Sequence, residues 1–230
     1  TMRLAEAARA NLESTGRLPV FPLPATVFFP EAALPLHIFE PRYRRMTEEA
    51  LRSDRLIAVA LLKPGWERDY NGSPEVFPVA CAGLIEEEAR LPDGRFNIRL
   101  RGLARVAILG FVQDTPYRVA RVRVLQEHSN LDGAALEAER RRLLAACAGL
   151  AQEISGERDR PVVLDSEVPF ALIVNTLCQN LGLDPETKQQ LLAMDDVVLR
   201  GRRVVEILTE RWRDIALRRG EAADGDGIIH

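Results

Sequence analysis

The sequence predicts an α+β fold in which a β-rich first half, built as a barrel or sandwich, precedes a bundle of helices. Three observations carry this. Residues 17–127 are dense in proline, glycine and short runs with β patterning. Residues 128–219 place their apolar residues in one-sided stripes of helical period. The change of character falls in one place, near Asn130.

Taken in order, residues 1–16 form an N-terminal helix or arm. Leu4, Ala8 and Leu12 recur at helical spacing, while Glu6, Glu13 and two arginines deny it the apolar core of a signal peptide. The β-rich region, 17–127, opens with Val20–Leu23 and Val27–Phe29, which read as short strands cut by prolines and so confined to the edges or ends of a sheet. Leu34–Phe39 is a further extended piece. Pro41 then starts a helix at its first position, where a missing N–H costs nothing, and the helix runs to about Leu51. Leu56–Leu62 is a continuous apolar run, the pattern of a buried strand. Residues 63–75 are a loop of turn formers. Val79–Ala89 is a strand, Pro92-Asp93-Gly94 a tight hairpin turn, and the return strand puts Phe96, Ile98 and Leu100 on one face. Val106–Val112 and Val119–Leu125 complete the set.

The helical region, 128–219, begins with a long helix striped by Leu136, Leu143, Cys147, Leu150 and Ile154. Phe170, Ile173, Val174, Leu177 and Leu181 stripe the next. Asp184-Pro185 reads as an N-cap followed by proline at the first helical position. Val197, Val204, Leu208 and Trp212 stripe the last. One-sided helices must hide those stripes on one another or on the β half. Residues 220–230 are small, acidic and glycine-rich, the composition of a disordered tail.

Composition narrows the function. Of 230 residues, 47% are hydrophobic and 28% charged, which suits a globular chain. The net charge of −3 lacks the basic excess of nucleic-acid binders, so a nucleic-acid partner is disfavoured. Three cysteines, Cys81, Cys147 and Cys178, form no paired motif and read as reduced core thiols in a reducing compartment. No apolar run approaches the ~18 residues of a membrane helix. A soluble, cytoplasmic chain is expected.

The inventory for chemistry is thin. Neither GxxxxGK[ST] nor a GxGxxG after a strand is present. Lys63 and Lys188 are the only lysines, and Ser73 with Lys63 merely brackets a loop. His37, His128 and His230 are scattered, so neither a metal site nor a serine–histidine–aspartate set can be assembled. His37, between Leu36 and Ile38, reads as a satisfied core histidine. Glu86 is expected opposite Arg99 across a two-residue turn, an exposed ion pair rather than acid–base machinery. Arg99, Arg101, Arg121 and Arg123 lack the interleaved aromatics of a nucleic-acid platform and read as a solvated face. Arg140-Arg141-Arg142 reads as the wet side of a helix. No catalytic residue, metal or cofactor is expected. The aromatics of the loop and its exit, Trp66, Tyr70 and Phe77, are the candidate partner-binding residues. Their other role would be to close over the end of the barrel.

Three stretches together carry a family resemblance: LPVFPLPATVFFPEAALPLHIFEPRYRRM (18–46), LPDGRFNIRLRGLARVAI (91–108) and DPETKQQLLAMDDVVLRGRRVVEIL (184–208). The first is the most specific, because its proline–phenylalanine pattern occurs together with His37-Ile38-Phe39-Glu40-Pro41-Arg42-Tyr43. Over about residues 17–215 the chain resembles the N-terminal substrate-binding domain of the Lon ATP-dependent proteases. The resemblance implies a PUA-like β pseudo-barrel followed by a helical bundle, with a related domain in cereblon, a substrate receptor. It implies a protein or peptide partner, including unfolded segments, and carries over no catalytic residue. A free-standing, single-domain form is expected, without the ATPase and serine–lysine protease modules. Because PUA-like barrels elsewhere bind RNA, an RNA-binding protein is the alternative.

Overall fold

A computed structural model describes residues 2–69, 72–155 and 168–225. Along them run α1 (Met2–Thr15), β1 (Arg17–Leu23), β2 (Ala33–Ile38), α2 (Pro41–Leu51), β3 (Leu56–Leu61), β4 (Val79–Arg90), β5 (Phe96–Gln113), β6 (Arg118–Val124), α3 (Gly133–Ser155), α4 (Phe170–Asn180), α5 (Pro185–Ala193) and α6 (Val197–Gly225), with a 3-10 turn at Trp66–Asp69. The α+β order is the one the patterning predicts. The chain forms two compact units: residues 1–126 with 175–195, and residues 127–174 with 196–230.

In the first unit, β5 pairs with β4, β4 with β3, β3 with β1, β1 with β6, and β6 returns to β5, so the ladders close into a ring. The β1–β3 ladder is parallel and the others antiparallel. The ring surrounds a core that includes Leu18, Val20, Leu56, Leu84 and Val106. The return strand and Val106–Val112 are one strand, β5, of 18 residues. It can serve several partners because its ladders shift register near Gly102 and Gly110.

Two expectations about the phenylalanine and proline residues need correction. Val27–Phe29 is not a strand. Its apolar character serves burial, with Phe28 and Phe29 fully enclosed. They occupy a recess formed by Gly83, which pairs with Gly102. A Cβ on Gly102 would lie 2.1 Å from the Phe29 carbonyl oxygen, and one on Gly83 would lie 2.8 Å from the Phe28 ring. Nor do the prolines of β1 put it at an edge, for it lies between β3 and β6. Residues 17–20 pair with β6 and residues 20–23 with β3. Pro19 and Pro22 therefore each fall where only one side of the strand is paired.

Among the described residues β2 pairs along one side only, with β5. The Gly102 N–H donates to the Ala32 carbonyl (2.9 Å) and the Leu91 N–H to the Arg95 carbonyl (2.8 Å). Because antiparallel residues alternate in the direction of their backbone groups, these bonds set the parity of both β5 ladders. Leu34, Leu36 and Ile38 turn their N–H and C=O groups toward β5; Ala33, Pro35 and His37 turn outward. The missing N–H of Pro35 thus costs the ladder nothing.

The β4–β5 turn differs from expectation by one residue. Leu91 pairs with Arg95, leaving a three-residue loop whose last member, Gly94, has φ +82°. Glu87, not Glu86, consequently lies opposite Arg99, and a bulge between Ile85 and Glu87 lets Glu86 reach the same arginine at 3.2 Å.

Arg105 of β5 is wholly buried. Its guanidinium donates to the carbonyls of Leu192 (3.0 Å) and Gln126 (3.3 Å) and to Asp195 (2.8 Å). It ties the second of the resembling stretches to the third. α5 starts as its sequence predicts, Asp184 accepting from the Thr187 N–H at 2.9 Å. Gln189 donates to the Val79 carbonyl and pins α5 to β4.

In the second unit α3 packs along α6. Gly201 leaves room for Phe170, whose ring would sit 2.8 Å from a Cβ there. Buried Arg200 pairs with Glu127 at 2.5 Å, and Glu139 accepts from Arg142 and Arg202. Arg140 departs from the expected wet face: only 11% of its side chain is exposed, and it bonds the Val168 carbonyl. α6 continues to Gly225, six residues into the stretch read as a tail; residues 226–230 lie outside the described residues.

Candidate functional site

The first unit carries a groove of about 340 Å³. The far end of β1 supplies its floor, with Phe21, Pro22 and Leu23. That end is open because β6 pairs only with residues 17–20. One wall is the β2–α2 junction, where Leu36, His37, Phe39 and Tyr43 stand. Trp66 and Pro74 of the 63–75 loop line it as well, as do Pro116, Tyr117 and Arg118. Tyr43 packs edge-on against Phe21, with ring centroids 4.6 Å apart. Phe39 is 58% exposed, an uncommon state for a phenylalanine in ordered structure.

The loop is held at both ends. The Lys63 N–H donates to the Glu75 carbonyl (2.8 Å) and the Lys63 ammonium pairs with the Glu75 carboxylate (2.7 Å). Lys63 is thus engaged by a glutamate rather than by Ser73. Arg118 donates to the Pro74 carbonyl at 2.7 Å and lays its guanidinium over the Phe111 ring at 3.4 Å. Burial pulls the Arg118 pKa down, against the carboxylate of Asp114. Tyr117 donates a short hydrogen bond to Glu49. Burial first, and that bond second, push the Tyr117 pKa up to about 12, while the Tyr117 hydroxyl and Arg45 hold Glu49 below its usual range.

Of the three candidate aromatics, Trp66 lines the groove and is half-buried against the ring's core. Phe77 does not line it. It borders a smaller hollow of about 200 Å³ that shares Pro24 and Trp66 with the groove and is also lined by Pro185. Tyr70 lies outside the described residues.

His37 is not in the core, a correction with a simple cause. The β2 side chains alternate, Leu34, Leu36 and Ile38 turning inward and Ala33, Pro35 and His37 outward. His37 is exposed, bonded to Asn97 (2.7 Å) and Arg95 (3.2 Å), and its ring stacks on Phe39 with centroids 6.2 Å apart. Phe39, Tyr43 and Tyr117 were missed as groove residues. Its place at the end of an extended run and just before Pro41 was the sequence signal available for Phe39.

Ion pairing occupies Arg99, Arg101 and the Glu86–Glu88 run, while Arg121 and Arg123 are exposed. Arg99 meets Glu86 and Glu87, Arg101 meets Glu31 (2.6 Å), and Arg55 meets Glu88. Among the described residues, no group of three or more histidine, cysteine or acidic side chains could hold a metal ion. Cys81 and Cys178 are buried, Cys147 partly so, and all three are free thiols. Among the described residues no helix is long and apolar enough to cross a membrane.

Comparison with known proteins agrees with the fold and the three stretches. The chain is 29% identical over 204 residues to a Lon protease of Trichlorobacter lovleyi, covering 87% of this chain and 25% of that one. It is 30% identical over 199 residues to Lon protease 2 of Herpetosiphon aurantiacus, covering 86% and 24%. The chain therefore spans about a quarter of the length of these relatives. In fold it is similar to the N-terminal domain of a Mycobacterium avium complex Lon protease (TM-score 0.63, 17% identity, 84% of this chain and 98% of that one). It is also similar to a Lon N-terminal domain protein from Xanthomonas campestris (TM-score 0.58, 22% identity, 83% and 97%). The family model described as the ATP-dependent protease La (LON) substrate-binding domain matches residues 17–210, and the chain belongs to that family.

Proposed function

We propose that this chain is a non-catalytic protein- or peptide-binding module, and that the groove beside Phe39 and Trp66 takes an apolar segment of an unfolded protein. The observation that carries the reading is an exposed aromatic, Phe39, lining a groove together with Phe21 and Trp66. Concave, mostly apolar sites with a few polar groups at the rim are the usual form of a binding site. The family description speaks of substrate binding, and the matched part of the relatives is that domain. About 340 Å³ admits a few side chains at a time, which suits a segment of chain better than a folded partner. RNA binding has less support, since Glu86, Glu87 and Glu31 engage Arg99 and Arg101.

The test is titration of a permanently unfolded protein, reduced and carboxymethylated lactalbumin, against the wild type and Phe39→Ala. Phe39 is exposed, so its removal leaves the fold intact. Loss of its contact should weaken binding about tenfold, or about 1.4 kcal/mol. Trp66→Ala should weaken it too, with circular dichroism to confirm folding. Equal affinity for wild type and Phe39→Ala would remove the groove from consideration.

A further inference from the structure

The groove's wall at β2 is also, among the described residues, the open edge of a sheet. Ala33, Pro35 and His37 turn their backbone groups away from β5, and all three residues are exposed. The edge therefore offers two N–H donors, at Ala33 and His37, and three C=O acceptors. Leu36, His37 and Phe39 line the groove as well, so edge and groove are continuous. We propose that β2 receives the bound segment as an added antiparallel strand, with an aromatic or aliphatic residue of that segment resting on the His37–Phe39 platform. This rests on the binding reading above and specifies how the segment is held.

The backbone chemistry selects an extended segment of another protein over a second copy of this chain. A strand facing β2 would exchange two hydrogen bonds at Ala33 and two at His37, and would donate one to the Pro35 carbonyl. In the register that overlaps all of Ala33–His37, two copies of β2 paired about a two-fold axis would set Pro35 against Pro35, where neither has an N–H to give. Pro35 thus handicaps self-association while leaving an acceptor for a substrate, a known use of proline at exposed edges. Main-chain bonds of this kind are indifferent to sequence, and the alternate side chains supply preference. Such tolerance suits a receptor for unfolded chains. His37 and Phe39 lie two residues apart with stacked rings, so both can contact one side chain of the added strand.

The probe is a short amidated peptide in which phenylalanine and valine alternate with threonine, compared with the same peptide N-methylated at two adjacent central residues. Either register then turns one methyl group toward β2. We expect the methylated peptide to bind about tenfold more weakly or worse, and the amides of Ala33 and His37 to exchange more slowly when the parent peptide is bound. Equal affinity for the two peptides, with unprotected Ala33 and His37 amides, overturns the added strand but leaves the groove reading standing. Failure of the parent peptide to bind overturns both. Protection of the same amides without peptide, rising with protein concentration, would make a second copy the occupant and overturn the proposal.

Discussion

Replacing Arg105 with methionine should destabilise the first unit by about 3 kcal/mol, a value assembled from its contacts. The guanidinium has no solvent exposure and supplies hydrogen to the Leu192 carbonyl, which is itself buried. Methionine fills much of the volume but donates nothing, and a buried unsatisfied acceptor costs about 1–3 kcal/mol. The bond to Asp195 adds roughly 1 kcal/mol more, discounted because that carboxylate is 54% exposed and can return to water. The Gln126 bond is long, at 3.3 Å, and on an exposed residue, so it adds little. Asp195→Asn, which keeps an acceptor in place, should cost only about 1 kcal/mol. The chain's two tryptophans separate the units, Trp66 in the first and Trp212 in the second. Urea unfolding followed by Trp66 fluorescence in a Trp212→Phe background therefore reports on the unit containing Arg105. A loss below about 1 kcal/mol for Arg105→Met would refute the claim that this arginine holds the α5 end to β5.

Three further outcomes are expected. Gly102→Ala forces a methyl group to 2.1 Å from the Phe29 carbonyl, so the backbone must move, and thermal unfolding should show a loss of about 1–3 kcal/mol or more. Tyr117 has its folded pKa raised, so its contribution is fully present below the ordinary value of about 10 and is lost as pH rises through about 12. Stability should fall across that window in the wild type, and Tyr117→Phe should flatten the fall. Glu49 has the opposite sign: its lowered pKa gives stability above the ordinary carboxylate range that disappears as pH falls through the folded value, and Glu49→Gln should remove that acid dependence in urea titrations.

Local signals made much of the fold legible. Pro41 at the first helical position and the Asp184 cap mark α2 and α5 because they act within a turn of the residues they organise. The unbroken apolar run Leu56–Leu61 is buried on both faces, as such a run must be. What escaped depends on partners distant in sequence. Val27–Phe29 has strand composition, but its environment is set by Gly83 and Gly102. The prolines of β1 are harmless only because two ladders divide the strand between them. His37 was misjudged by its apolar neighbours, although the period of two already placed it opposite Leu36 and Ile38. The hairpin register slipped because Gly94, in a left-handed conformation, closes a three-residue loop. Arg105 could not be distinguished from the solvated arginines beside it, since its partners come 21, 87 and 90 residues later. At the candidate site, Trp66 stood out as a large aromatic in a turn-rich loop, whereas Phe39, Tyr43 and Tyr117 meet only when the sheet ring brings their segments together.

Nuclear magnetic resonance mapping of a bound unfolded segment tests the binding claim most directly. On titration with the unfolded lactalbumin, we expect shifts to concentrate at the Trp66 indole and at the amides of residues 36–40, 42 and 43, with the Trp212 indole unmoved. Saturable binding that perturbs α6 around Trp212 and leaves Phe39 and Trp66 unchanged would contradict it.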